Sequence, residues 1–409
     1  MGRLTRRGFT LAAAGALSGA LTLHRAPSGA ADPGRPELRG TWIASVANID
    51  WPTGQGLPEA VAQAQLLERL DNAVRWNLNT VFLQVRPSAD ALWPSPHEPW
   101  SEWLTGEQGR DPGWDPLEFA VTEAHRRGLD LHAWFNPYRI AMHDDLGRLV
   151  PGHPARQHPE WVVPYGGRLY YNPGLPEVRA FTQEAMLHAV ENYDIDGVHW
   201  DDYFYPYPVG SEEFDDNDAF ARHGDGFTDR AAWRRNNIDL LVSEMRQQVK
   251  RAKPDAAFGI SPFAIWRNRS TDPRGSDTQG LETYDALYAD TRSWVEKGLL
   301  DYIAPQVYWH IGYRAADYAE LVRWWAEAVD GTGVRLFIGE AMYKVGDPEQ
   351  PEQWQDPAEL SRHLTLCGEH AQVAGHIFFS ASGVADDPLG AMTRVFDDHY
   401  RDPVRPVGG

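Results

Sequence analysis

The chain has 409 residues, a formal net charge of −20, one cysteine and an aromatic content of 12%. The single cysteine, Cys367, excludes any intrachain disulfide. The acidic balance disfavours nucleic acid and anionic lipid as partners. No segment approaches the roughly 20 apolar residues that a membrane span needs.

Residues 1–30 read as a removable export signal and 31–409 as one domain. Arg3, Arg6 and Arg7 form a charged start, Thr10 to Leu23 a weakly apolar run, and Ser28-Gly29-Ala30 a small-residue cleavage site. The Arg6-Arg7 pair resembles a twin-arginine signal. Cleavage near Ala30 removes four arginines and leaves 34 basic against 58 acidic side chains, a net charge of −24. The expected location is therefore outside the cytoplasm, in the cell envelope or beyond it, with no insertion into a membrane.

Short β-type runs then alternate with amphipathic stretches. The strands expected are Leu38–Val46, Thr80–Arg86, Leu129–Phe135, Gly197–Asp201, Ala257–Ser261, Tyr302–Tyr308, Arg335–Gly339 and His376–Ser380. Helices are expected near 58–76, 116–127, 176–193, 228–253, 285–297, 315–329, 356–370 and 388–399, several opening on proline and two closing on Gly128 and Gly298. Eight strand–helix units predict an α/β fold, a single (β/α)8 barrel. A doubly wound open sheet is the alternative, but no Gly-x-Gly-x-x-Gly turn follows the first strand.

The strand-to-helix loops are long, at 87–115, 136–175 and 203–227, and in a barrel they build the catalytic face. They carry Trp93, His97, Glu98, Trp100, Trp103, Tyr165, Tyr170 and Tyr171, which predicts an aromatic, acidic mouth. Alternation along each strand sorts the rest. Phe82, Gln84 and Arg86 should face the axis, as should His132, Trp134 and Asn136, His199 and Asp201, and Ala304, Gln306 and Tyr308. The parity of the seventh strand is ambiguous because both of its faces are apolar.

Polar groups gather where strands end: Arg86, Asn136, Asp201, Asp202, Gln306, Tyr308 and Glu340. Hydrolysis of a glycoside needs two carboxyl groups about the scissile bond. Asp201 or Asp202 is the expected acid/base, and Glu340, across the barrel, the expected nucleophile or base. Gln84, Arg86, Trp134, Asn136, Tyr138, His199, Gln306, Tyr308 and Trp309 are expected to contact the sugar.

Several strings support this. Glu37-Leu38-Arg39-Gly40-Thr41-Trp42-Ile43-Ala44 and Asn48-Ile49-Asp50-Trp51-Pro52 open the series. Asn79 to Arg86, His132-Ala133-Trp134-Phe135-Asn136-Pro137-Tyr138 and Asp196-Gly197-Val198-His199-Trp200-Asp201-Asp202-Tyr203 follow. Ile260-Ser261-Pro262-Phe263 and Pro305-Gln306-Val307-Tyr308-Trp309 complete it. Together they resemble the family 10 glycosylhydrolase-like proteins of bacteria. The resemblance implies an exported barrel hydrolase acting on a polysaccharide, with peptidoglycan strands stripped of their peptides as the substrate suggested. Relative to the chitinase pattern Asp-Gly-x-Asp-x-Asp-x-Glu, His199 replaces one aspartate and Tyr203 the glutamate, which argues against chitinase-type substrate-assisted chemistry.

Two rivals stand beside this reading. A metal-dependent hydrolase should carry His-x-His on its first strand, where Arg39-Gly40-Thr41-Trp42-Ile43 stands instead, so no metal or other cofactor is expected. A non-catalytic glycan-binding barrel would use the same aromatic mouth. The acidic stretch 212–218 reads as a solvated run or a weak cation site.

Overall fold

The computed structural model describes residues 36–406. The expected export signal and its cleavage point lie outside them. Within them run β1 (Leu38–Ile43), β2 (Thr80–Arg86), β3 (Asp130–Phe135), β4 (Arg139–Ala141), β5 (Val162–Tyr165), β6 (Arg168–Tyr171), β7 (Gly197–Trp200), β8 (Ala257–Ile260), β9 (Tyr302–Ile303), β10 (Arg335–Glu340) and β11 (Val373–Phe378). Eight of these close a parallel barrel in chain order, β1-β2-β3-β7-β8-β9-β10-β11, with β11 returning to β1. β4, β5 and β6 form a small antiparallel sheet in the long loop after β3.

The helices form where amphipathic periodicity and caps coincide. Asp115 accepts from the Leu117 and Glu118 amides with Pro116 in the first turn, and Asp229 accepts from Ala231 and Ala232. Helix Tyr318–Val329 buries Leu321, Val322 and Trp325 against the barrel wall. The expected sixth strand shrinks to Tyr302–Ile303. Pro305 has no amide to donate, and only isolated bridges through Gln306 continue the ladder. The last strand spans Val373–Phe378 rather than the expected His376–Ser380.

The barrel interior is packed in layers. Trp42, Phe82, Trp134, Tyr302, Ala304, Phe337 and Ile377 form an inner cluster separate from the outer core. The large rings fit because glycines stand beside them. A Cβ on Gly197 would lie 2.6 Å from the His132 ring, one on Gly40 2.7 Å from Phe82, and one on Gly259 2.1 Å from Tyr302.

A chain of hydrogen bonds crosses these layers. Trp42 Nε1 donates to His199 Nε2 at 3.0 Å. An indole N–H can only donate, so His199 carries its proton on Nδ1 and donates it to the Tyr302 hydroxyl at 2.9 Å. That hydroxyl then donates to His132 Nδ1 at 3.0 Å. Burial holds His132 down to about 4 and His199 well below its ordinary value, so both rings are neutral. Ser261 Oγ lies 2.9 Å from His199 Nε2 and 3.3 Å from the Trp200 carbonyl. His199 is thus a satisfied core histidine beneath the mouth.

Gly259→Ala should cost about 1–3 kcal/mol of stability, because the added methyl overlaps the Tyr302 ring in a filled interior. Chemical denaturation of the variant against wild type checks this.

Candidate functional site

At the C-terminal end of the barrel lies a cleft of about 320 Å3, with Trp42, Gln84, Trp134, Asp201, Asp202 and Gln306 among its walls. Tyr203, Tyr207, Tyr308, Tyr343, Phe379 and Arg139 also line it. Ile49 and Tyr343, 48% and 47% exposed, form open apolar lips. Apolar faces around a few convergent polar groups suit a sugar ring.

β7 delivers the carboxylates. His199 points inward, so Asp201 follows it into the mouth, and Asp202 is the next residue of the turn. Asn136 Nδ2 donates to both Asp201 oxygens at 3.1 Å, and Trp134 Nε1 to Oδ2 at 3.2 Å. Burial raises Asp201, opposed by the Arg139 charge and by these donors. Asp202 Oδ2 accepts from the Tyr207 hydroxyl, and Gln306 also hydrogen-bonds this carboxyl. Burial and then the Asp201 charge push Asp202 up to about 7. Burial thus raises both neighbouring carboxyls, and the Asp201 charge pushes Asp202 up further.

The other expected contacts divide. Gln84 lines the cleft: its Oε1 accepts from the Ser45 and Val46 amides, while its Nε2 is buried with no protein partner. Such a donor is available to a ligand. Trp134, Gln306 and Tyr308 also line the cleft, whereas Asn136 stands behind Asp201. Tyr138 is fully buried away from the mouth, and Trp309 packs edge-on against Phe263 at 5.5 Å.

Arg86 departs from its expected direction. A bulge between Gln84 and Arg86 pairs Arg86 with the outward Phe135. One extra residue reverses the facing of everything after it. The guanidinium instead meets Glu98 at 2.5 Å and the Asn136 and Pro137 carbonyls, all buried. It braces the loop after β3.

Glu340 departs too. Gly339 takes the inward position of β10, where an added Cβ would touch Trp42, so Glu340 faces the helices. It accepts from the Tyr318 hydroxyl at 2.6 Å and contacts His363 Nδ1 at 2.8 Å and His376 Nδ1 at 2.9 Å. Burial alone would raise this carboxyl, but the two histidines hold it down to about 2. His363 is fully buried, which opposes its charge, yet Glu340 and Glu359 raise it. Its Nε2 lies 3.3 Å from Glu359 Oε1, an ion-pair contact without hydrogen-bond geometry. Glu340 is thus not a wall of the cleft and does not stand across a sugar from β7.

The loop aromatics were expected at the mouth, but Trp93, Tyr165, Tyr170 and Tyr171 belong to the outer core. In the acidic stretch, Asp216 is bound by Arg234 at 2.6 Å. Among the described residues no group of His, Cys, Asp and Glu is arranged to hold a metal. Arg139, Tyr203, Tyr207 and Tyr343 were not anticipated. The string Tyr203-Phe204-Tyr205-Pro206-Tyr207, directly after the aspartates, was the readable sign of an aromatic wall.

Residues 37–356 match the family model described as Glycosyl hydrolase-like 10. The chain is 48% identical over 370 residues to the glycosyl hydrolase YngK of Bacillus subtilis, covering 90% of this chain and 72% of that one. It is 43% identical over 362 residues to the glycosyl hydrolase DigH of Escherichia coli K12, covering 84% and 82%. The PgaB (BpsB) glycoside hydrolase domain of Bordetella bronchiseptica shares the fold, with a TM-score of 0.58, 14% identity, and coverage of 92% and 100%. The catalytic domain of a Paenibacillus polymyxa β-amylase does so at a TM-score of 0.57, 8% identity, and coverage of 90% and 99%.

Two outcomes follow from the charges. Asp202 is raised above its ordinary 3.8 to about 7, so the folded state loses stability as pH rises through that interval. Asp202→Asn should therefore melt above wild type at pH 8, with a gap that shrinks as pH falls toward 4. Glu340 is lowered from 4.5 and His363 raised from 6.5. The Glu340 contribution is complete above 4.5 and the His363 contribution below 6.5, so their pairing stabilises most between those values. Glu340→Gln strands a buried histidine charge and should cost about 3–5 kcal/mol there. Denaturation at several pH values checks both; a stable Glu340→Gln variant with collapsed turnover would instead restore Glu340 to catalysis.

Proposed function

Because this chain belongs to the Glycosyl hydrolase-like 10 family and is a (β/α)8-barrel glycoside hydrolase, we propose that it is an exported enzyme that cuts peptide-free peptidoglycan strands. The observation that carries the mechanism is the neighbouring pair Asp201–Asp202 at the end of β7. They are the carboxyls among the cleft-lining residues. Asp202, held near 7, stays partly protonated at neutral pH and gives that proton to the glycosidic oxygen as the bond breaks. Asp201 supplies the negative charge that offsets the cation developing on the sugar. Asn136 and Trp134 fix its orientation, as electrostatic preorganisation requires.

With Glu340 turned to the helix layer, no carboxylate among the described residues faces this pair across the cleft. The substrate's own 2-acetamido oxygen then serves as the nucleophile, a route known among glycosidases. This revises the inference drawn from the missing chitinase glutamate: a consecutive Asp-Asp performs the two tasks that pattern spreads over alternate residues. Asn136 and Trp134 orient Asp201 so that a remaining lone pair accepts the acetamido N–H as its oxygen attacks.

The envelope location rests on the arginine-containing signal, and a wall glycan on the N-acetylated sugars this chemistry needs. No helix among the described residues is long and apolar enough to cross a membrane.

Incubation of the mature protein with peptide-free strands should release new reducing ends, seen by mass spectrometry. Asp202→Asn and Asp201→Asn should each lower kcat by about 100-fold or more. The alkaline limb of the pH–rate profile, near 7 in wild type, should vanish in residual Asp202→Asn activity. The first-formed product should retain its anomeric configuration by NMR. Inverted product would rule out the acetamido route, and unchanged turnover in both aspartate variants would rule out the pair.

A further inference from the structure

Four arginines are buried among the described residues: Arg39, Arg86, Arg139 and Arg234. Three meet a carboxylate: Arg39 with Glu37 at 2.9 Å, Arg86 with Glu98 at 2.5 Å, and Arg234 with Asp216 at 2.6 Å. Arg139 has none within ion-pairing distance, although it is 4% exposed and lines the cleft. Its Nε and Nη2 donate to the Pro87 carbonyl at 3.0 and 2.8 Å. Among the described residues no hydrogen bond uses Nη1. The guanidinium lies over the Tyr203 ring, 5.2 Å from its centroid, which fixes the plane of the fork against another wall of the cleft.

Burying a guanidinium without a carboxylate is costly. The field of Asp201 and the Pro87 carbonyl offset part of that cost. Asp201 does not take the place of a partner, since its oxygens are held by Asn136 and Trp134. The Arg168 charge also acts on Tyr203 from β6. Arg139 thus brings positive charge to one wall of the cleft, with one arm of its planar fork left without a partner among the described residues. That chemistry fits a carboxylate.

We propose that Arg139 binds a carboxylate on the substrate's amino sugar, the group laid bare when a peptide is hydrolysed from it. The inference rests on the strand-hydrolase reading above. In a strand bearing peptides that position is a neutral amide. Water adds to the amide carbon, the C–N bond breaks, the amine leaves with the peptide, and a carboxylate stays on the sugar. An amide-hydrolysing reaction must therefore precede this enzyme. Preference for peptide-free strands then has an electrostatic basis as well as a steric one.

The test compares the N-acetylglucosamine–N-acetylmuramic acid disaccharide with its methylamide, titrated calorimetrically into Asp202→Asn protein so that bound sugar is not cleaved. The free acid should bind at least tenfold more tightly, with a preference that shrinks as salt rises. Arg139→Gln added to that background should abolish the preference, and Arg139→Lys should keep part of it. Equal affinity for the two sugars, or undiminished preference in folded Arg139→Gln, overturns the proposal; so does failure of both sugars to bind. The comparison between the two sugars needs no change at Arg139, so a misfolded variant leaves it decisive. Turnover separates the two readings. Wild type should cleave peptide-free strands at least tenfold better in kcat/KM than the same strands converted to methylamides. Equal cleavage overturns the carboxylate site and leaves the hydrolase. Cleavage of neither strand, with the binding preference intact, overturns the strand-hydrolase reading and leaves the anion site.

Discussion

A closed barrel of parallel strands has one interior, and every second side chain must enter it. In this protein that constraint fixes almost everything else. The interior accepts the rings of Phe82, His132 and Tyr302 because Gly40, Gly197 and Gly259 lie beside them. The Trp42–His199–Tyr302–His132 chain satisfies each buried polar atom at the cost of keeping both imidazoles neutral. It supplies a rigid, uncharged floor on which the mouth is built.

An uncharged floor leaves the aspartates at the rim with little positive charge to lean on. Asp201 and Asp202 sit in the same dry cleft, and burial raises both. Arg139, Asn136 and Trp134 favour the ionised form of Asp201 against burial, whereas the Asp201 charge adds to the burial that raises Asp202. The separation arises from which neighbours β3 and its following loop deliver, since the two carboxyls are chemically identical. Arg139 thus opposes the burial that raises Asp201 and also lines the cleft with a donor. The buried ion pairs elsewhere have mechanical tasks: Arg86–Glu98 braces the loop that carries Asn136 and Arg139, and Glu340 with His363 and His376 joins β10 and β11 to the helix layer.

Much of this was legible in the chain itself. Periodicity of two against 3.6, prolines at helix starts and the eightfold repeat were enough for the barrel; each of its eight strands overlaps an expected run, although the sixth is shorter and the last begins three residues earlier. The inward facing of Phe82, Gln84, Trp134, His199 and Gln306 followed from parity alone. The placement of Asp201 and Asp202 at the rim of one strand was equally readable. The aromatic loops were misread: tryptophan and tyrosine look the same in sequence whether they line a cleft or fill a core, and most of those before residue 175 fill the core.

Two polar residues mark the boundary between chain and fold. Arg86 and Glu340 occupy strand ends, where sequence reasoning expects the mouth, yet both face away from it. A bulge turns Arg86, and Gly339 takes the inward place that leaves Glu340 outside. Neither is visible in composition or period, because a bulge is decided by how two strands pair, and the parity of an all-apolar strand by which side finds room. The sequence by itself determined the barrel, its order of elements and the strand that bears the aspartates, since these depend on local periodicity and count. Only the tertiary structure decided which charges meet in the cleft, because that depends on register between strands distant in the chain.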